Sequence, residues 1–280
     1  MPTSTDHREL LQRLAEGVGQ LTTSSAWRRH LELQARFHRY SSRNVVLIGL
    51  QRPDATRVAG FRAWRALRRH VCRGERAIWI LAPILERRED LDTGEREAIV
   101  RGFRFVPVFD VAQTDGEPLA SVCDLLVGDD ERGAYAALVG VAETIGFRVE
   151  DHDFAGAANG DCSHATRRIR VEAANAPAQR VKTLAHELGH ALMHARCEDR
   201  ALAELEAESV AYVACAALGI DSSRYSFGYL AAWAGGSDAA NDAITGSCDR
   251  IQRAAATILD ACLVSGALAP TKASACGADR

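Results

Sequence analysis

The sequence predicts an α+β protein with two domains, the first over residues 1–125 and the second over residues 126–280. The first part contains two apolar segments, residues 77–83 and 103–111, that are typical of the strands of a hairpin. The second part repeats apolar residues at helical spacing, so we expect it to be mainly helical with a short sheet. A chain of 280 residues, 47% of them hydrophobic and 25% charged, can bury two modest cores.

The predicted first domain begins with helices and ends with the hairpin. The helical segments are residues 9–18, 26–37, 45–50 and 60–67. Ser25 is the expected N-cap of the second of these helices and Asn44 that of the third, because both side chains carry an oxygen that can accept a hydrogen bond there. Arg73-Gly74-Glu75 is typical of the turn that leads into the first strand of the hairpin.

The predicted second domain combines helices with short strands. Helical spacing is seen in residues 131–145, 181–192, 201–218 and 239–263, and strand patterns in residues 147–150 and 167–171. Gly146 and Gly219 are the expected ends of two of the helices. We expect the glycine- and alanine-rich residues 155–161 to form a loop, and residues 167–171 to form an edge of the sheet that can pair with an extended substrate.

Residues 186–190 read His-Glu-Leu-Gly-His within one of the predicted helices. His186 and His190 are four residues apart, so they share one helix face and can bind the same ion. Zinc accepts imidazole nitrogens, and Glu187 beside them is placed to take a proton from water activated by the metal. Gly189 is expected to allow another element to pack closely. Two helical histidines alone also fit a surface or a core position, so the third ligand decides.

The next predicted helix carries Glu204, Glu206 and Glu208. Glu204 and Glu208 share a face beside the apolar side of this helix, where a carboxylate is costly unless it is paired or binds a metal. We therefore predict that Glu204 is the third metal ligand and that Glu208 holds a ligand histidine by its other ring nitrogen. Glu206 is expected to face solvent. The reverse assignment, with Glu208 on the metal, stays open, as does a solvated acidic face.

Other residues near the motif are less informative. Met193 and Arg196 stand where the longer metzincin pattern requires glycine and histidine, so that pattern is excluded. His194 lies one turn after His190, and it fits a residue supporting the ligands, an oxyanion contact or a plain helix end. Tyr225 and Tyr229 are weaker candidates for stabilising an oxyanion.

The charge of −3 for the whole chain conceals a basic segment. Between Trp27 and Ile84 there are thirteen arginines and three acidic residues, a formal charge of +10. Arginine binds phosphate and stacks on bases, so the segment favours a nucleic-acid surface over a simple bias in composition. Trp27, Trp64 and Trp79 are each expected in the core, whereas Arg39, Tyr40, Arg43 and Asn44 form a polar turn suited to contact single-stranded DNA.

The motifs of the second domain resemble a known peptidase group. The stretch Lys182 to His190, followed by Glu204-Leu205-Glu206-Ala207-Glu208, is similar to the ImmA/IrrE group of zinc metallopeptidases over residues 150–218. In that group the first glutamate of the second motif is a metal ligand, and the last position is usually asparagine rather than the Glu208 found here. The resemblance implies a zincin-like domain. Members of the group cleave DNA-binding repressors, so the resemblance also implies a regulatory protein as substrate.

The first domain resembles a DNA-binding family. Ser42-Arg43-Asn44-Val45, Phe61-Arg62-Ala63-Trp64, the turn at Arg73 and Phe109-Asp110-Val111 are similar to the N-terminal domain of ArdC-type antirestriction proteins over residues 27–118. That domain binds single-stranded DNA and is joined to a metallopeptidase-like domain, the order seen here. Arg73 replaces the usual lysine of the turn and implies a phosphate contact.

Two functions follow as predictions. The first is a zinc metalloendopeptidase coupled to a module that binds single-stranded DNA, with one Zn²⁺ or another divalent ion such as Mn²⁺ per chain and a regulatory or DNA-associated protein as substrate. The alternative is an antirestriction protein that binds single-stranded DNA and whose metal site is structural or vestigial. A nuclease is disfavoured because clustered carboxylates for two metals are missing from the motifs. A polar start, scattered cysteines and no long apolar run predict a cytoplasmic protein with no membrane partner.

Overall fold

A computed structural model describes residues 4–89, 96–118, 131–156, 158–220 and 238–264. Its mixture of helices and small sheets confirms the predicted α+β class. The described residues form two compact units, a first unit of residues 4–17 and 43–118 and a second unit of residues 18–42 and 131–264. The predicted domain boundary at 125 and 126 lies outside the described residues. Residues 18–42, assigned by sequence to the first domain, pack in the second unit.

The helices and strands follow the chain in this order. They are α1 (Ser4–Gly19), α2 (Ser24–Arg36), α3 (Ser42–Gln51), β1 (Val58–Ala59), α4 (Phe61–Ala66), β2 (Arg69–Val71), β3 (Ile78–Glu89), β4 (Arg96–Asp110), a 3-10 turn (Val111–Gln113), β5 (Thr114–Gly116), α5 (Glu131–Thr144), β6 (Arg148–His152), β7 (Gly160–Ser163), β8 (Arg168–Glu172), α6 (Pro177–Met193), α7 (Arg200–Ala217) and α8 (Asp238–Val264). No described helix has both the length and the apolar character to cross a membrane.

The first unit is built on the predicted hairpin, in which β3 and β4 pair antiparallel. The short β1 pairs with the other edge of β4, which leaves β3 at the edge of the sheet. Side chains of α3 cover part of this edge. The amide of Asn44 donates to the carbonyl of Leu81 and accepts from its N–H, and Gln51 forms the same pair of bonds with Trp79. Backbone groups that a neighbouring strand would satisfy are thereby satisfied by a helix.

The described part of the second unit combines α2, from the N-terminal part of the chain, and α5 to α8 with a three-stranded sheet, against which α5 and α6 pack. Trp27 of α2 is fully buried and donates from its indole nitrogen to the Ser209 hydroxyl of α7 at 2.9 Å. The N-cap of α2 is Thr23, whose hydroxyl accepts from the backbone of Ala26, rather than the predicted Ser25. Thr23 takes this place because the helix begins two residues earlier than the apolar pattern suggests.

The sheet of the second unit corrects two predictions. Residues 160 and 161, expected in a loop, are the first half of β7, and β8 lies between β6 and β7 in the strand order. The strand over residues 167–171, predicted at an edge, is therefore the central strand, because it pairs in parallel with β6 and antiparallel with β7. Ile169 and Val171 of β8 are fully buried, as expected for a strand with neighbours on both sides. The edge is β7.

Glycines end two helices of the second unit as predicted. Gly146 follows α5 with φ of 79° and Gly219 follows α7 with φ of 72°, in the left-handed region that favours glycine. After α7 the backbone N–H of Ile220 bonds to the carbonyl of Cys215, which satisfies one of the last carbonyls of the helix. The second metal-motif helix thus has the predicted end.

Candidate metal centre

α6 and α7 bring three potential metal ligands together. His186, His190 and Glu204 each offer one atom, and these atoms lie within 4.8 Å of one another, the one such group of three found among the described residues. The Nε2 atoms of His186 and His190 are 3.1 Å apart. Glu204 Oε2 lies 3.4 Å from the first and 3.7 Å from the second. The helical spacing of the two histidines and the crossing of α7 over α6 together produce the cluster.

These separations fit a tetrahedral cation. Ligands about 2.0–2.1 Å from a zinc ion in tetrahedral geometry are about 3.3–3.4 Å from each other. The three measured separations, from 3.1 to 3.7 Å, bracket that value. The donor set of two imidazoles and one carboxylate is one that zinc accepts, and it leaves a fourth position. The side chain of Glu204 is 52% exposed, so the cluster is open to solvent on that side.

His186 is held by Glu208. Its Nδ1 is 3.2 Å from Glu208 Oε2, and Lys182 lies 3.7 Å from the other oxygen of the same carboxylate. A carboxylate can only accept, so the hydrogen bond places the ring proton of His186 on Nδ1 and leaves Nε2 for a metal. Glu204 thus contributes an oxygen to the group of three, and Glu208 contacts His186 from outside that group.

His190 is held by a longer chain. Its Nδ1 lies 3.0 Å from Nδ1 of His194, and Nε2 of His194 lies 3.1 Å from Oε2 of Glu206. The expectation that Glu206 faces solvent is wrong, since this residue is 1% exposed. Its carboxylate also accepts from the hydroxyl of Ser247 at 2.5 Å and forms an ion pair with Arg250, both on α8. Helical periodicity does not predict this arrangement, because the partners of Glu206 on α8 are more than forty residues away in the sequence.

Glu187 lies beside the cluster in an enclosed position. The residue is 7% exposed, and a Cβ added to Gly160 of β7 would come within 2.9 Å of its Oε1. Only glycine fits there without displacing the carboxylate, so β7 packs directly on the motif helix. Burial raises the pKa of Glu187 to about 7, and the negative charge of Asp161 adds to this effect, which the charge of His186 opposes.

The two facing histidines do not carry equal charge. Burial lowers the pKa of His186, but its hydrogen bonds to Glu204 and Glu208 raise that pKa by more. Burial lowers the pKa of His190, and the charge on His186 lowers it further. The hydrogen bond from His186 lowers the pKa of Glu204. In the metal-free cluster these contacts favour a proton on His186 over one on His190.

The other histidines of the sheet have structural contacts. Nε2 of His164 is 3.1 Å from the carbonyl oxygen of His190, and its ring packs edge-on against Phe147. His152 packs edge-on against Phe154. Neither residue joins the metal cluster, and His164 ties the sheet to the helix that carries the ligands. Tyr225 and Tyr229 lie outside the described residues.

The predicted DNA contacts divide between the two units. Arg39 donates to Asp260 of α8 at 3.0 Å and Tyr40 packs edge-on against Phe37, all within the second unit. Arg43 and Arg73 belong to the first unit, are exposed, and form no ion pair among the described residues.

Asn44 differs from the other four predicted contacts because it is buried. Both groups of its side-chain amide are bonded to the backbone of Leu81. The same bonds exclude the predicted N-cap role, and α3 begins two residues earlier, at Ser42. We therefore leave Asn44 out of the candidate DNA surface.

One side of the hairpin is apolar and accessible. This hairpin face consists of the cross-strand pairs Trp79 with Pro107, Leu81 with Phe105, Pro83 with Phe103 and Leu85 with Val100. All eight residues are half-buried or exposed, and Phe103 is 58% exposed. Trp64 is fully buried as expected, whereas Trp79 lies on this accessible face. Alternate residues of paired strands share one side, which explains how three aromatic rings come together.

Fold and site together define an α+β protein with a basic first unit and a helical second unit that carries a His-Glu-x-x-His cluster. Residues 7–111 match the family model of the N-terminal domain of anti-restriction factor ArdC. Residues 142–217 match the model of the IrrE N-terminal-like domain, a peptidase family. These two matches confirm both resemblances seen in the sequence.

Solved structures and a curated relative extend the comparison. The metal-free crystal structure of a plasmid antirestriction protein ArdC aligns with a TM-score of 0.50 and 23% identity, covering 79% of this chain and 85% of that one. The Mn(II)-bound structure of ArdC aligns with a TM-score of 0.47 and 22% identity, covering 79% and 88%. An uncharacterised protein of Bacillus anthracis is 24% identical over 255 residues. The alignment covers 71% of this chain and 41% of that protein, so the chain spans about two fifths of its length.

Proposed function

We propose that the protein is a zinc-dependent metalloendopeptidase coupled to a module that binds single-stranded DNA, and that it cleaves a regulatory or DNA-associated protein such as a transcriptional repressor. The observation that carries the proposal is the convergence of His186, His190 and Glu204 beside the buried Glu187. The match of residues 142–217 to a peptidase family supports it. Both proposed partners belong to the cytoplasm, where we place the protein.

Glu187 is the proposed general base. Bound by the three ligands, zinc would supply a Lewis acid that polarises the scissile carbonyl and acidifies water. Glu187 accepts a proton from water on a carboxylate oxygen and delivers it to the nitrogen of the leaving amine. Its enclosed position suits this exchange, because a pKa raised to about 7 lets the carboxyl group both take and release a proton near neutral pH.

The edge strand β7 is the proposed support for the substrate backbone. Among the described residues it pairs with β8 alone, and it lies against Glu187 through Gly160. An extended peptide can add to such an edge through main-chain hydrogen bonds, which bind many sequences in the same register. Asp161 of the strand is held by an ion pair with Arg170 of β8 and is thereby kept in place. This role replaces the substrate-pairing role predicted for residues 167–171.

The test of the proposed enzyme uses three proteins and one substrate mixture. Wild type, Glu187→Gln and Glu204→Ala are assayed for bound zinc and manganese and for cleavage of a library of internally quenched peptides. We expect about one zinc per chain in wild type and Glu187→Gln, far less in Glu204→Ala, and cleavage by wild type alone. Cleavage by Glu187→Gln at the wild-type rate would exclude the proposed base, and wild type without a metal would exclude the site.

The alternative function, an antirestriction protein that binds single-stranded DNA around a structural metal, is favoured by the first unit. Its exposed Arg43 and Arg73, its accessible aromatic rings and its match to the ArdC N-terminal domain all support DNA binding. In this case Glu187→Gln has no functional effect, and a labelled single-stranded oligonucleotide is shifted equally by wild type and variant. Cleavage by wild type that disappears in Glu187→Gln would reject the alternative.

A further inference from the structure

We propose that Glu206, acting through His194, sets the tautomer of the metal ligand His190 and so keeps its Nε2 ready for the metal. Both are positioning residues, because neither offers an atom to the cluster of three ligands. The inference rests on the proposed metal site. It assigns a role to the carboxylate at the middle of the second motif, which contacts His194 rather than the three atoms of the cluster.

The contacts form a continuous chain from α8 to the ligand. Arg250 and Ser247 of α8 donate to the carboxylate of Glu206 on α7. Oε2 of Glu206 is 3.1 Å from Nε2 of His194, and Nδ1 of His194 is 3.0 Å from Nδ1 of His190. Nε2 of His190, on the other side of its ring, faces His186 and Glu204. Each contact is within hydrogen-bond distance.

The direction of the protons follows from the end of the chain. A carboxylate paired with an arginine has no proton to donate, so Nε2 of His194 must carry the hydrogen of the first bond. When that ring carries a single proton, its Nδ1 is an acceptor, and Nδ1 of His190 carries the hydrogen of the second bond. His190 is left with a bare lone pair on Nε2. This is the tautomer that binds a metal through Nε2.

The anchoring on α8 also fixes which way Glu206 faces. Oε1 accepts from the Ser247 hydroxyl and from Nε and Nη2 of Arg250, so three donors converge on it, whereas Oε2 accepts from Nε of Arg250 alone and faces His194. In Glu206→Gln the amide oxygen would stay with Arg250, and the amide nitrogen would take the place of Oε2. The amide would then donate to Nε2 of His194, and both histidines would change tautomer. The hydrogen of His190 would move to Nε2, where it blocks the metal.

His186 shows that the effect belongs to one ligand. Its ring is held by a direct bond from Nδ1 to Glu208, with no second histidine between them. Glu206→Gln therefore leaves the tautomer of His186 unchanged and alters His190 alone. The two ligand histidines on one helix thus depend on separate carboxylates of α7, two residues apart.

The experiment measures the tautomer and the metal affinity separately. Long-range proton–nitrogen spectra of the metal-free protein identify the protonated nitrogen of His190. Competition with a chelator measures the zinc dissociation constant. We expect the proton on Nδ1 in wild type and on Nε2 in Glu206→Gln, with zinc bound about 10- to 100-fold more weakly by the variant. Glu143→Gln, an exposed glutamate on α5, is the matched control and should behave as wild type.

A second variant keeps the test informative if Glu206→Gln folds poorly. His194→Phe fills the ring volume but removes the acceptor for His190, so it should also weaken zinc binding. Adding Glu206→Gln to His194→Phe should then have no further effect on zinc, because the carboxylate acts only through the missing ring. Thermal unfolding of each metal-free variant measures the loss of packing alone.

The outcomes separate this inference from the proposed enzyme. Equal zinc affinity of wild type and Glu206→Gln would overturn the inference and leave the proposed metal site intact. Wild type that binds no zinc overturns both. Weaker zinc binding with an unchanged His190 tautomer, accompanied by a matching fall in the melting temperature, would show that Glu206 merely joins α7 to α8, and it would overturn the positioning role.

Discussion

Gly189 of α6 lies against Ala207 of α7, and a Cβ added to Gly189 would come within 3.0 Å of the Cα of Ala207. The predicted close approach of another element at this glycine is therefore present. The contact matters because α6 carries His186 and His190 and α7 carries Glu204. The distance between the helices at this point sets the distance between the ligands.

Gly189→Ala should lower stability and weaken zinc binding together. The neighbouring atom is backbone and moves only with its helix, so we expect a net loss of about 1–3 kcal/mol despite the better helix propensity of alanine. Gly140→Ala on α5 is the matched control, since a Cβ there meets nothing within 4 Å. It should gain about 0.5–1 kcal/mol. Denaturant unfolding measures the stability of each variant, and chelator competition measures its zinc affinity. Equal effects of Gly189→Ala and Gly140→Ala would contradict the packing argument.

Helical spacing predicts which residues are candidate metal ligands, but it does not predict all the hydrogen-bond partners that hold these residues. His186 and His190 share a face because of their spacing, and Glu204 was selected because a carboxylate beside an apolar face needs a partner. The prediction that Glu206 faces solvent is wrong because the spacing of residues on a helix does not show which other element packs on each helix face. That neighbour is α8, whose Arg250 and Ser247 carry no motif that links them to α7.

Strands were harder to predict than helices. β7 was missed because Gly160 and its small neighbours have little strand propensity, and it forms through pairing with β8 and packing on α6. The hairpin of the first unit was visible because its two strands are long and apolar. What no local pattern showed is that α3 would satisfy the open edge of β3 with side-chain amides.

Asn44→Ala and Gln51→Ala should each open a different point of the β3 edge. Asn44 serves the N–H and carbonyl of Leu81, and Gln51 serves those of Trp79. Loss of either amide leaves these groups without their partner, at a cost of about 1–3 kcal/mol. Amide hydrogen exchange should become faster at Leu81 in the first variant and at Trp79 in the second. Each variant is the control for the other, and identical exchange patterns would contradict separate roles.

His30 should make the second unit sensitive to acid. The residue is 4% exposed, and burial lowers its pKa to about 4. Because the unfolded chain takes up the proton at a pKa of about 6.5, stability falls as the pH drops from 6.5 towards 4, by about 3 kcal/mol in total.

The measurement is denaturant unfolding at pH 7 and pH 5. Wild type should lose about 2 kcal/mol through His30 between these values, and His30→Leu should be spared that loss. Gln34→Leu, a change at a buried polar residue of the same helix that does not titrate, should keep the wild-type difference. If the free energy of unfolding fell by the same amount between pH 7 and pH 5 in His30→Leu and in Gln34→Leu, His30 would not be the cause of the acid sensitivity.

Single-stranded DNA should respond differently to changes at the arginines and at the hairpin face. Arg43→Gln and Arg73→Gln each remove a cation, so each should weaken binding and reduce the slope of log affinity against log salt by about 1. Phe103→Ala removes a 58% exposed ring, so it should weaken binding by about 1–3 kcal/mol with an unchanged slope, as expected for a lost stacking contact. Leu11→Ala, also exposed in the first unit but outside the hairpin face, is the control and should bind as wild type.

Fluorescence anisotropy with a labelled oligonucleotide at several salt concentrations gives the affinity and its dependence on salt. Phe103→Ala with wild-type affinity would remove the hairpin face from the DNA surface, whereas wild-type slopes in both arginine variants would remove the cations and leave stacking alone.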